Sequence, residues 1–287
     1  MPMEKGRAFL KMQGLGNHFV IVDARERPWR PSRSEAIRIC DVRRGVGADQ
    51  LLIVQPPSAT GRRAGASAAV RIVNVDGTDA ETCGNATRCV AWWLMEELGA
   101  ERVLIETLGG TLVCERRGER RVSVEMGRIC RDWRSIPLAE PCDTLHVPVA
   151  NGVLRDGIAL NIGNPHIVFF VDDLSAVDLV RLAPAIQHDP LFPQQVNVGV
   201  AEIVDERHLR LAVYERPGLL TSGCGSGACV AALAASLRGW TTGPRTRVEM
   251  AGGTLEIDLD ENGSAVMSGP VDYCFTGNLP AARGARA

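Results

Sequence analysis

The two halves of the chain carry the same short motifs in the same order. The matched pairs are Gly16–Val20 with Gly163–Val168, Gln50–Val54 with Asn197–Val200, Cys83–Asn85 with Cys224–Ser226, and Gly109–Leu112 with Gly252–Leu255, at offsets of 141 to 147 positions. Four matches in one order at a nearly constant offset indicate an internal duplication rather than chance. We therefore expect two diverged copies of one unit of roughly 130 residues. The first repeat is expected over 1–127, with the segment 270–287 packing on it, and the second over 128–269.

Each copy is predicted to contain short strands and one buried helix. The strand-like runs are rich in β-branched residues and lie between turn residues; they are Val20–Val22, Val70–Val73 and Val103–Ile105, then Ile167–Val171, Leu209–Val213 and Arg247–Met250. Helices are predicted over Ala86–Leu98 and Ala228–Arg238, each followed by glycine. Both are apolar around most of their circumference, which is typical of buried helices. An amphipathic surface helix is predicted over Leu174–Ala183, ended by Pro184.

These elements predict an α+β fold of two pseudo-symmetric repeats. Each repeat is expected to be a curved, mostly antiparallel sheet or barrel wrapped around its central helix. Two such repeats side by side would leave a cleft between them, where we expect the active site. A chain of 287 residues that is 45% hydrophobic has enough apolar side chain for two cores of ordinary size.

The composition excludes several classes of function. A net charge of −2 and a pI of about 6.2 do not suit a nucleic-acid-binding surface or adhesion to an anionic membrane. The apolar runs are too short to span a bilayer, and no signal-peptide stretch follows the charged N-terminal residues, so a cytoplasmic location is expected. The nine cysteines include no C-x-x-C spacing, and most are expected to be free thiols. Residues 281–287 are expected to form a frayed tail.

Two of the nine cysteines have positions that indicate chemistry. Cys83 and Cys224 stand at equivalent points of the two copies, each before a glycine and at the predicted start of a buried helix. The unpaired N–H groups and the dipole of a helix start favour negative charge, so both thiols are expected to ionise more easily than usual. The others are adequately explained as small buried hydrophobes; they are Cys40, Cys89, Cys114, Cys130, Cys142, Cys229 and Cys274.

Two thiols on opposite faces of one carbon acid suit inversion of configuration. One thiolate removes the proton from one face, and the other thiol returns a proton to the opposite face. Backbone N–H groups of Gly84-Asn85 and Gly225-Ser226 would bind the carboxylate of the reacting centre, more tightly as charge develops on it. No electron-sink cofactor and no metal is expected. The sequence contains no Walker A loop, no strand–GxGxxG–helix unit and no HExxH motif.

The motifs together resemble those of the diaminopimelate epimerase family. They are Lys11–Asn17, Asn74–Gly77, Cys83–Asn85, Asn164–His166 and Cys224–Cys229, and the resemblance extends from about Lys11 to beyond Thr254. It implies a cofactor-independent isomerase that interconverts LL- and meso-2,6-diaminopimelate in lysine and peptidoglycan-precursor synthesis. It also implies a small-molecule amino-acid substrate, the two-repeat fold of that family, and commonly a homodimer.

The resemblance assigns roles to individual positions. Cys83 and Cys224 match the two catalytic cysteines. The matches to substrate-binding positions are Gly84, Asn85, Gly225 and Ser226 at the reacting carboxylate, Asn17 and Gln50 in the first repeat, and Asn74, Asn164, Asn197, Glu215 and Arg216 at the distal amino-acid end. His166 and Glu215 match polar residues close to the catalytic pair. Taken singly, the asparagines are also typical of turns, Glu215 and Arg216 of a solvated strand end, and His166 of a core histidine.

Some positions depart from the family pattern, and three other functions stay open. Pro217–Leu220 replaces the usual Gly-Ala-Gly-Glu after Arg216, and His18, Ala86 and Gly223 also differ from the usual residues. The first alternative is a racemase of the same fold that acts on another amino acid, such as histidine or a basic one. The second is a related isomerase without one acid–base partner, which the presence of both cysteines disfavours. The third is a non-catalytic small-molecule binding protein.

Overall fold

The computed structural model describes residues 6–280 of the chain, and the chain divides into two compact units. Unit 1 comprises Met1–Val122 and Val271–Ala287, and unit 2 comprises Ser123–Pro270. The N-terminal residues 1–5 and the predicted frayed tail, 281–287, lie outside the described residues. Among the described residues, no helix has both the length and the apolar character that a membrane span requires.

Strands dominate both units. The elements of unit 1 are β1 (Arg7–Gly14), β2 (Asn17–Asp23), α1 (Arg33–Cys40), β3 (Gln50–Gln55), α2 (Ala59–Arg63), β4 (Ala68–Asn74), β5 (Asp79–Ala80), α3 (Gly84–Leu98), β6 (Arg102–Thr107) and β7 (Gly110–Arg116). The chain enters unit 2 within β8 (Arg121–Arg128) and returns to unit 1 for β17 (Asp272–Leu279).

Unit 2 repeats this arrangement of elements. They are β9 (Ile158–Asn161), β10 (Pro165–Phe170), a 3-10 helix (Leu174–Ala176), α4 (Leu179–Gln187), β11 (Asn197–Asp205), β12 (His208–Glu215), β13 (Leu219–Thr221), α5 (Gly225–Leu237), β14 (Arg245–Met250), β15 (Gly253–Leu259) and β16 (Ser264–Pro270).

The strand register of unit 2 reproduces that of unit 1. In unit 1, β2 runs parallel to β3 with Phe19 opposite Gln50, and in unit 2, β10 runs parallel to β11 with His166 opposite Asn197. A further parallel pair is β4 with β6 in unit 1 and β12 with β14 in unit 2. Antiparallel pairs include β1 with β2, β3 with β4 and β6 with β7 in unit 1, and β9 with β10, β11 with β12, β14 with β15 and β15 with β16 in unit 2. The predicted α+β fold with two repeats is therefore confirmed.

Each unit contains one helix that is buried among its strands. In unit 1, α3 packs against β1, β2, β6 and β7, and in unit 2, α5 packs against strands from β9 to β16. Helix α3 ends at Gly99, which has a left-handed φ of 60°, as its glycine signal predicts. Both helices begin two or three residues earlier than predicted, at Gly84 and Gly225. This earlier start makes each preceding cysteine the N-cap residue.

The predicted helix over Leu174–Ala183 is wrong in its boundaries. A 3-10 turn comes first, and α4 begins only after Asp178, whose side chain accepts a hydrogen bond from the Arg181 N–H as an N-cap. Pro184 lies inside α4 instead of ending it. Burial of Leu179, Ala183 and Ile186 along one face of α4 offsets the lost proline N–H and holds the helix to Gln187.

Candidate active site

A tight hairpin turn in unit 1 brings Asn17 toward the start of helix α3. Leu15 and Gly16 both have positive φ, 55° and 74°, which is the conformation of a two-residue type I′ turn between β1 and β2. Asn17 follows this turn directly, and its Oδ1 lies 3.9 Å from the Sγ of Cys83. Asn17 and Cys83 are therefore neighbours although 66 positions separate them.

Cys83 is the N-cap residue of α3. Its backbone is extended, and its carbonyl accepts hydrogen bonds from the N–H and the Oγ1 of Thr87, both at 2.9 Å. The next residues, Gly84 and Asn85, form the first turn of the helix, where the backbone N–H groups have no partner within the helix. The thiol is half-buried. This half of the candidate site thus combines an accessible thiol with a helix N-terminus suited to an anion.

Gln50 and Asn74 form a separate pair in unit 1. They lie opposite each other in the register of β3 and β4, and the Gln50 Nε2 donates to the Asn74 Oδ1 at 3.0 Å. Among the described residues, the buried Oε1 of Gln50 has no hydrogen-bond partner. Leaving a buried acceptor without a hydrogen bond costs free energy, so a donor group of a ligand would bind favourably at the Gln50 Oε1.

Cys224 is the N-cap of α5 in unit 2 and has a more crowded environment. Its Sγ accepts from the N–H of Gly227 at 3.4 Å and lies 3.5 Å from the Oγ of Ser226. Its own N–H donates to the Sδ of Met250 at 3.4 Å. The thiol is 4% exposed, so it is buried where Cys83 is only half-buried.

The expectation that the helix start makes the Cys224 thiol ionise easily is wrong for this structure. Burial raises the pKa of Cys224 well above its ordinary value, and the charge of Glu215 together with its hydrogen bond to the thiol raises it further. The hydrogen bonds from Ser226 and Gly227 lower it but do not compensate. Removing a thiolate from water costs more than a helix dipole returns, so Cys224 is a neutral thiol here.

His166 is the centre of a hydrogen-bond network in unit 2. Its Nε2 lies 3.0 Å from the Ser226 Oγ, 3.1 Å from the Asn164 Oδ1 and 3.4 Å from the Asn197 Nδ2. The ring is fully buried, and burial together with the positive charge of Arg216 lowers the pKa of His166 to about 3. His166 is therefore a neutral imidazole, and Ser226 links it to Cys224.

The residues expected at the distal end of the substrate join the same network. The Asn197 Oδ1 accepts from the backbone N–H of Arg216 at 2.9 Å, and the Arg216 Nη1 donates to the carbonyl of Gln194 at 2.9 Å. Glu215 comes just before Arg216 and is hydrogen-bonded to Cys224. Unit 2 therefore brings together all of its predicted site residues in one connected set.

The segment that departs from the family pattern forms a short hairpin. Strand β13 pairs antiparallel with β12, so that Leu219 lies opposite Glu215 and Leu220 opposite Tyr214. Both leucines are exposed, with 64% and 47% of their surface accessible to solvent. The contact between Glu215 and Cys224 is present beside this hairpin.

Two further residues touch the site, and the sequence patterns assign a role to neither of them. The Asp49 carboxylate accepts a hydrogen bond from the Asn17 Nδ2 at 2.7 Å. Gly227 has no room for a side chain, because a Cβ there would lie 2.9 Å from the Val213 Cγ2 and 3.2 Å from the Cys224 Sγ. The sequence signal for Asp49 is its position before Gln50, whereas Gly227 lies inside the Cys224–Cys229 motif but has no role assigned there.

Comparisons with known proteins show which family this chain is similar to. The family model described as diaminopimelate epimerase matches residues 9–131 and 158–274. The diaminopimelate epimerase of Rhodospirillum centenum is 45% identical over 273 residues, which cover 95% of this chain and 92% of the relative. The diaminopimelate epimerase of Acidiphilium cryptum is 44% identical over 280 residues, which cover 98% of this chain and 99% of the relative.

Solved structures agree on the fold. A hydroxyproline epimerase from Agrobacterium vitis superposes with a TM-score of 0.68 at 16% sequence identity, covering 98% of this chain and 94% of that chain. At that identity the likeness concerns the fold alone. The resemblance read from the sequence is confirmed by the two long, closely similar relatives and by the family model. The chain therefore belongs to the diaminopimelate epimerase family.

Proposed function

We propose that this protein is an isomerase that inverts one α-carbon of 2,6-diaminopimelate, converting the LL form to the meso form. The observation that carries the proposal is the pair Cys83 and Cys224, each the N-cap of the central helix of its own repeat. One cysteine, as a thiolate, removes the α-proton from one face of the carbon. The other, as a thiol, gives a proton to the opposite face, and the two exchange roles in the reverse reaction.

The helix starts supply the electrostatic part of this scheme. Gly84, Asn85, Gly225 and Ser226 form the first turns of α3 and α5, and their N–H groups would bind the carboxylate next to the reacting carbon. Charge that moves into this carboxylate as the proton leaves would strengthen those hydrogen bonds. The scheme needs neither an electron-sink cofactor nor a metal, so hydroxylamine or a chelator should leave turnover unchanged.

The proposed distal subsite selects a second amino-acid head group. Asn74, Asn164 and Asn197 offer neutral donors and acceptors, Glu215 can accept from an ammonium, and Arg216 can bind a carboxylate through two parallel hydrogen bonds. Diaminopimelate carries such a second head group and lysine does not. A subsite of buried polar groups rejects analogues that leave those groups unpaired, by roughly 10⁴-fold in favourable cases.

The decisive experiment is turnover and solvent-deuterium exchange by the purified protein with LL-diaminopimelate, lysine and histidine. We expect α-deuterium in diaminopimelate and exchange with lysine at least about a thousandfold slower. Exchange with histidine or lysine at an equal rate would favour a racemase of the same fold with another substrate. Absence of exchange with all three would favour a binding protein and overturn the proposal.

The exposed leucines of β13 are the observation that favours the second candidate, a racemase for a single-headed amino acid. Leu219 lies opposite Glu215 in the hairpin register, and the family pattern has a small residue and an acid in this segment. An apolar surface next to Glu215 would suit an apolar or aromatic substrate end. The same three-substrate panel separates the two candidates.

The sequence and the family resemblance also suggest a cellular location, an oligomeric state and a biosynthetic role for the enzyme. We place it in the cytoplasm, as a homodimer that contributes to lysine and peptidoglycan-precursor synthesis. The support for a homodimer is the family resemblance. Sedimentation equilibrium should give about twice the chain mass of 30.9 kDa, and a value equal to the chain mass would contradict this part of the proposal.

A further inference from the structure

We propose that Asp49 is a positioning residue that fixes the side-chain amide of Asn17 so that its oxygen, and not its nitrogen, faces the Cys83 thiol. The inference rests on the proposed function in one respect, namely that Cys83 is one of the two proton-transfer groups. It concerns a residue for which neither the sequence motifs nor the family resemblance supplied a role.

The backbone brings Asp49 to Asn17. Strands β2 and β3 are parallel, with Phe19 opposite Gln50, and the N–H of Asp49 donates to the carbonyl of His18 at 2.9 Å. One carboxylate oxygen of Asp49, Oδ2, then accepts from the Asn17 Nδ2 at 2.7 Å and from the backbone N–H of His18 at 2.8 Å. Two short hydrogen bonds to one oxygen hold the carboxylate and the amide in a single arrangement.

This arrangement decides which atom of Asn17 meets the thiol. A carboxylate can only accept hydrogen bonds, so the Asn17 NH₂ group must point to Asp49. The Asn17 Oδ1 must then point the other way, and it lies 3.9 Å from the Cys83 Sγ. An amide oxygen accepts from a protonated thiol and has nothing to offer a thiolate. With Asp49 in place, Asn17 therefore favours the protonated form of Cys83, ready to donate a proton.

A second layer holds Asp49 itself. The Lys11 Nζ donates to the carbonyl of Gly47 and lies 3.1 Å from the Nδ1 of His18. Because an ammonium can only donate, this His18 nitrogen is the acceptor, and the ring proton is on Nε2. That Nε2 lies 3.9 Å from the other carboxylate oxygen of Asp49. His18 thus presents an N–H dipole to the Asp49 Oδ1, and the positive charge of Lys11 lies at the other nitrogen of the same ring.

The second repeat has no counterpart of the Asp49–Asn17 pair, which indicates that different side chains set the protonation of the two cysteines. The position equivalent to Asp49, 147 residues later, is Val196, which is fully buried. Asn164 is the counterpart of Asn17, and its amide is held by the Ser226 Oγ at 3.3 Å and the His166 Nε2 at 3.1 Å. The carboxylate that acts in unit 2 is Glu215, which contacts Cys224 directly. In unit 1 the Asp49 carboxylate influences the Cys83 thiol indirectly, through the side chain of Asn17.

A double-mutant cycle tests the proposal without any substrate. The readout is the rate of Cys83 alkylation by iodoacetamide, mapped by peptide mass spectrometry, with Cys130 as the internal reference, because alkylation follows the thiolate fraction. Asp49→Ala frees the amide to turn its NH₂ group toward sulfur. We expect the alkylation rate to rise about fivefold, the equivalent of one ordinary hydrogen bond. In an Asn17→Ala background, Asp49→Ala should change the rate by less than about twofold, since coupled residues are not additive.

The cycle separates orientation from charge. An equal rise in both backgrounds would mean that Asp49 acts by its charge alone, and no rise in either would mean that it does not act on Cys83; both outcomes overturn the proposal. If Asp49→Ala fails to fold, Asp49→Val places there the residue that the second repeat has at the equivalent position; it also removes both acceptor oxygens, so it has the same expected result. Asp23→Asn is the matched control, because Asp23 is a carboxylate at the other end of β2 and pairs with Arg25.

Activity measurements then distinguish this inference from the proposed function. Asp49→Ala should lower kcat for diaminopimelate, with KM changed less than kcat, because the Cys83 thiol loses the oriented amide while the distal subsite of unit 2 is unaltered. A wild-type protein that does not turn over diaminopimelate would overturn the proposed function and leave the alkylation result standing. A flat alkylation cycle in an active enzyme would overturn only the role of Asp49.

Discussion

At the scale of single residues, the two cysteines occupy equivalent positions in unlike surroundings. Cys83 is half-buried and faces an amide oxygen, whereas Cys224 is buried and hydrogen-bonded to Glu215. Burial costs a thiolate more than a helix N-terminus returns, which is why the pKa of Cys224 is raised. In the proposed scheme, Cys224 therefore acts as the base only when Glu215 leaves the thiol or positive charge comes close to it.

Removal of either thiol should abolish inversion. Cys83→Ala and Cys224→Ala each delete one acid–base group, so turnover of diaminopimelate should fall at least about a hundredfold, within the range of roughly 10²–10⁴ for such losses. Cys130→Ala, which removes a half-buried thiol outside the site, is the control and should keep wild-type turnover. Activity above about a hundredth of wild type in either site variant would contradict the two-base scheme.

The Arg216 guanidinium is expected to be irreplaceable even by another cation. Its Nη1 donates to the carbonyl of Gln194, which orients the planar group. In the proposed scheme this group binds the distal carboxylate through two parallel hydrogen bonds. Arg216→Lys keeps the charge and loses this geometry, so kcat/KM should fall by about tenfold or more, the equivalent of one charged hydrogen bond. Arg210→Lys is the control, because Arg210 lies on β12, the strand just before Arg216, and forms an ion pair with Glu202. Equal losses in both variants would argue against a specific role.

His166 should make the protein less stable in mild acid. The pKa of His166 falls from 6.5 to about 3 on folding because burial, and then Arg216, disfavours its charged form. Between these values only the unfolded chain takes up the proton, so this stability contribution is present above pH 6.5 and is lost as the pH falls. Urea unfolding at pH 6.5 and 5 should show a loss of roughly 2 kcal/mol from this group.

The control for this titration is a histidine on the surface. His166→Gln should remove most of that pH-dependent loss, because glutamine does not titrate. His188→Asn, at the exposed end of α4, should leave it unchanged. An undiminished pH dependence in His166→Gln would show that other groups account for it.

At the scale of elements, the first turn of α5 is limited by space. A Cβ on Gly227 would lie 2.9 Å from the Val213 Cγ2 and 3.2 Å from the Cys224 Sγ, and valine has little rotamer freedom to retreat. Gly227→Ala should therefore destabilise the protein by about 1–3 kcal/mol, although alanine is the better helix former. It should also lower turnover by moving the thiol.

The matched control lies in the same helix. Ser236→Ala changes an exposed residue near the other end of α5 and should be neutral in both thermal unfolding and turnover. A Gly227→Ala variant as stable and active as wild type would mean that the helix start shifts without cost, which is contrary to this interpretation.

At the scale of the whole molecule, the two-base scheme requires the thiols of both repeats to reach one carbon atom. Two thiols that approach so closely can form a disulfide when no substrate separates them. Oxidation of the purified protein should therefore produce a Cys83–Cys224 cross-linked peptide and a loss of activity that reductant reverses. Bound diaminopimelate should protect against the cross-link. Full activity after exhaustive oxidation, with both thiols recovered unmodified, would count against the scheme.

The amino-acid sequence by itself determined the plan of the protein. The repeat, the α+β class, the two buried helices with their cysteines and the family are all carried by local patterns: β-branched runs, glycine helix ends and motifs such as Cys83–Asn85. Each of these patterns involves residues that are close in the sequence, so it can be recognised without knowledge of the tertiary structure.

Only the tertiary structure decided how the site residues act on one another. Asp49 meets Asn17 because β2 and β3 pair in one particular register, and a shift of one position would turn the side chains to the other face. The neutral thiol of Cys224 follows from its burial beside Glu215, and the helix start alone predicts the opposite. Pro184 continues a helix because apolar contacts made elsewhere in unit 2 outweigh its local preference. In each case a local conformational or electrostatic preference competes with desolvation or with packing. The packing partners are distant in the sequence, so the outcome depends on the tertiary structure.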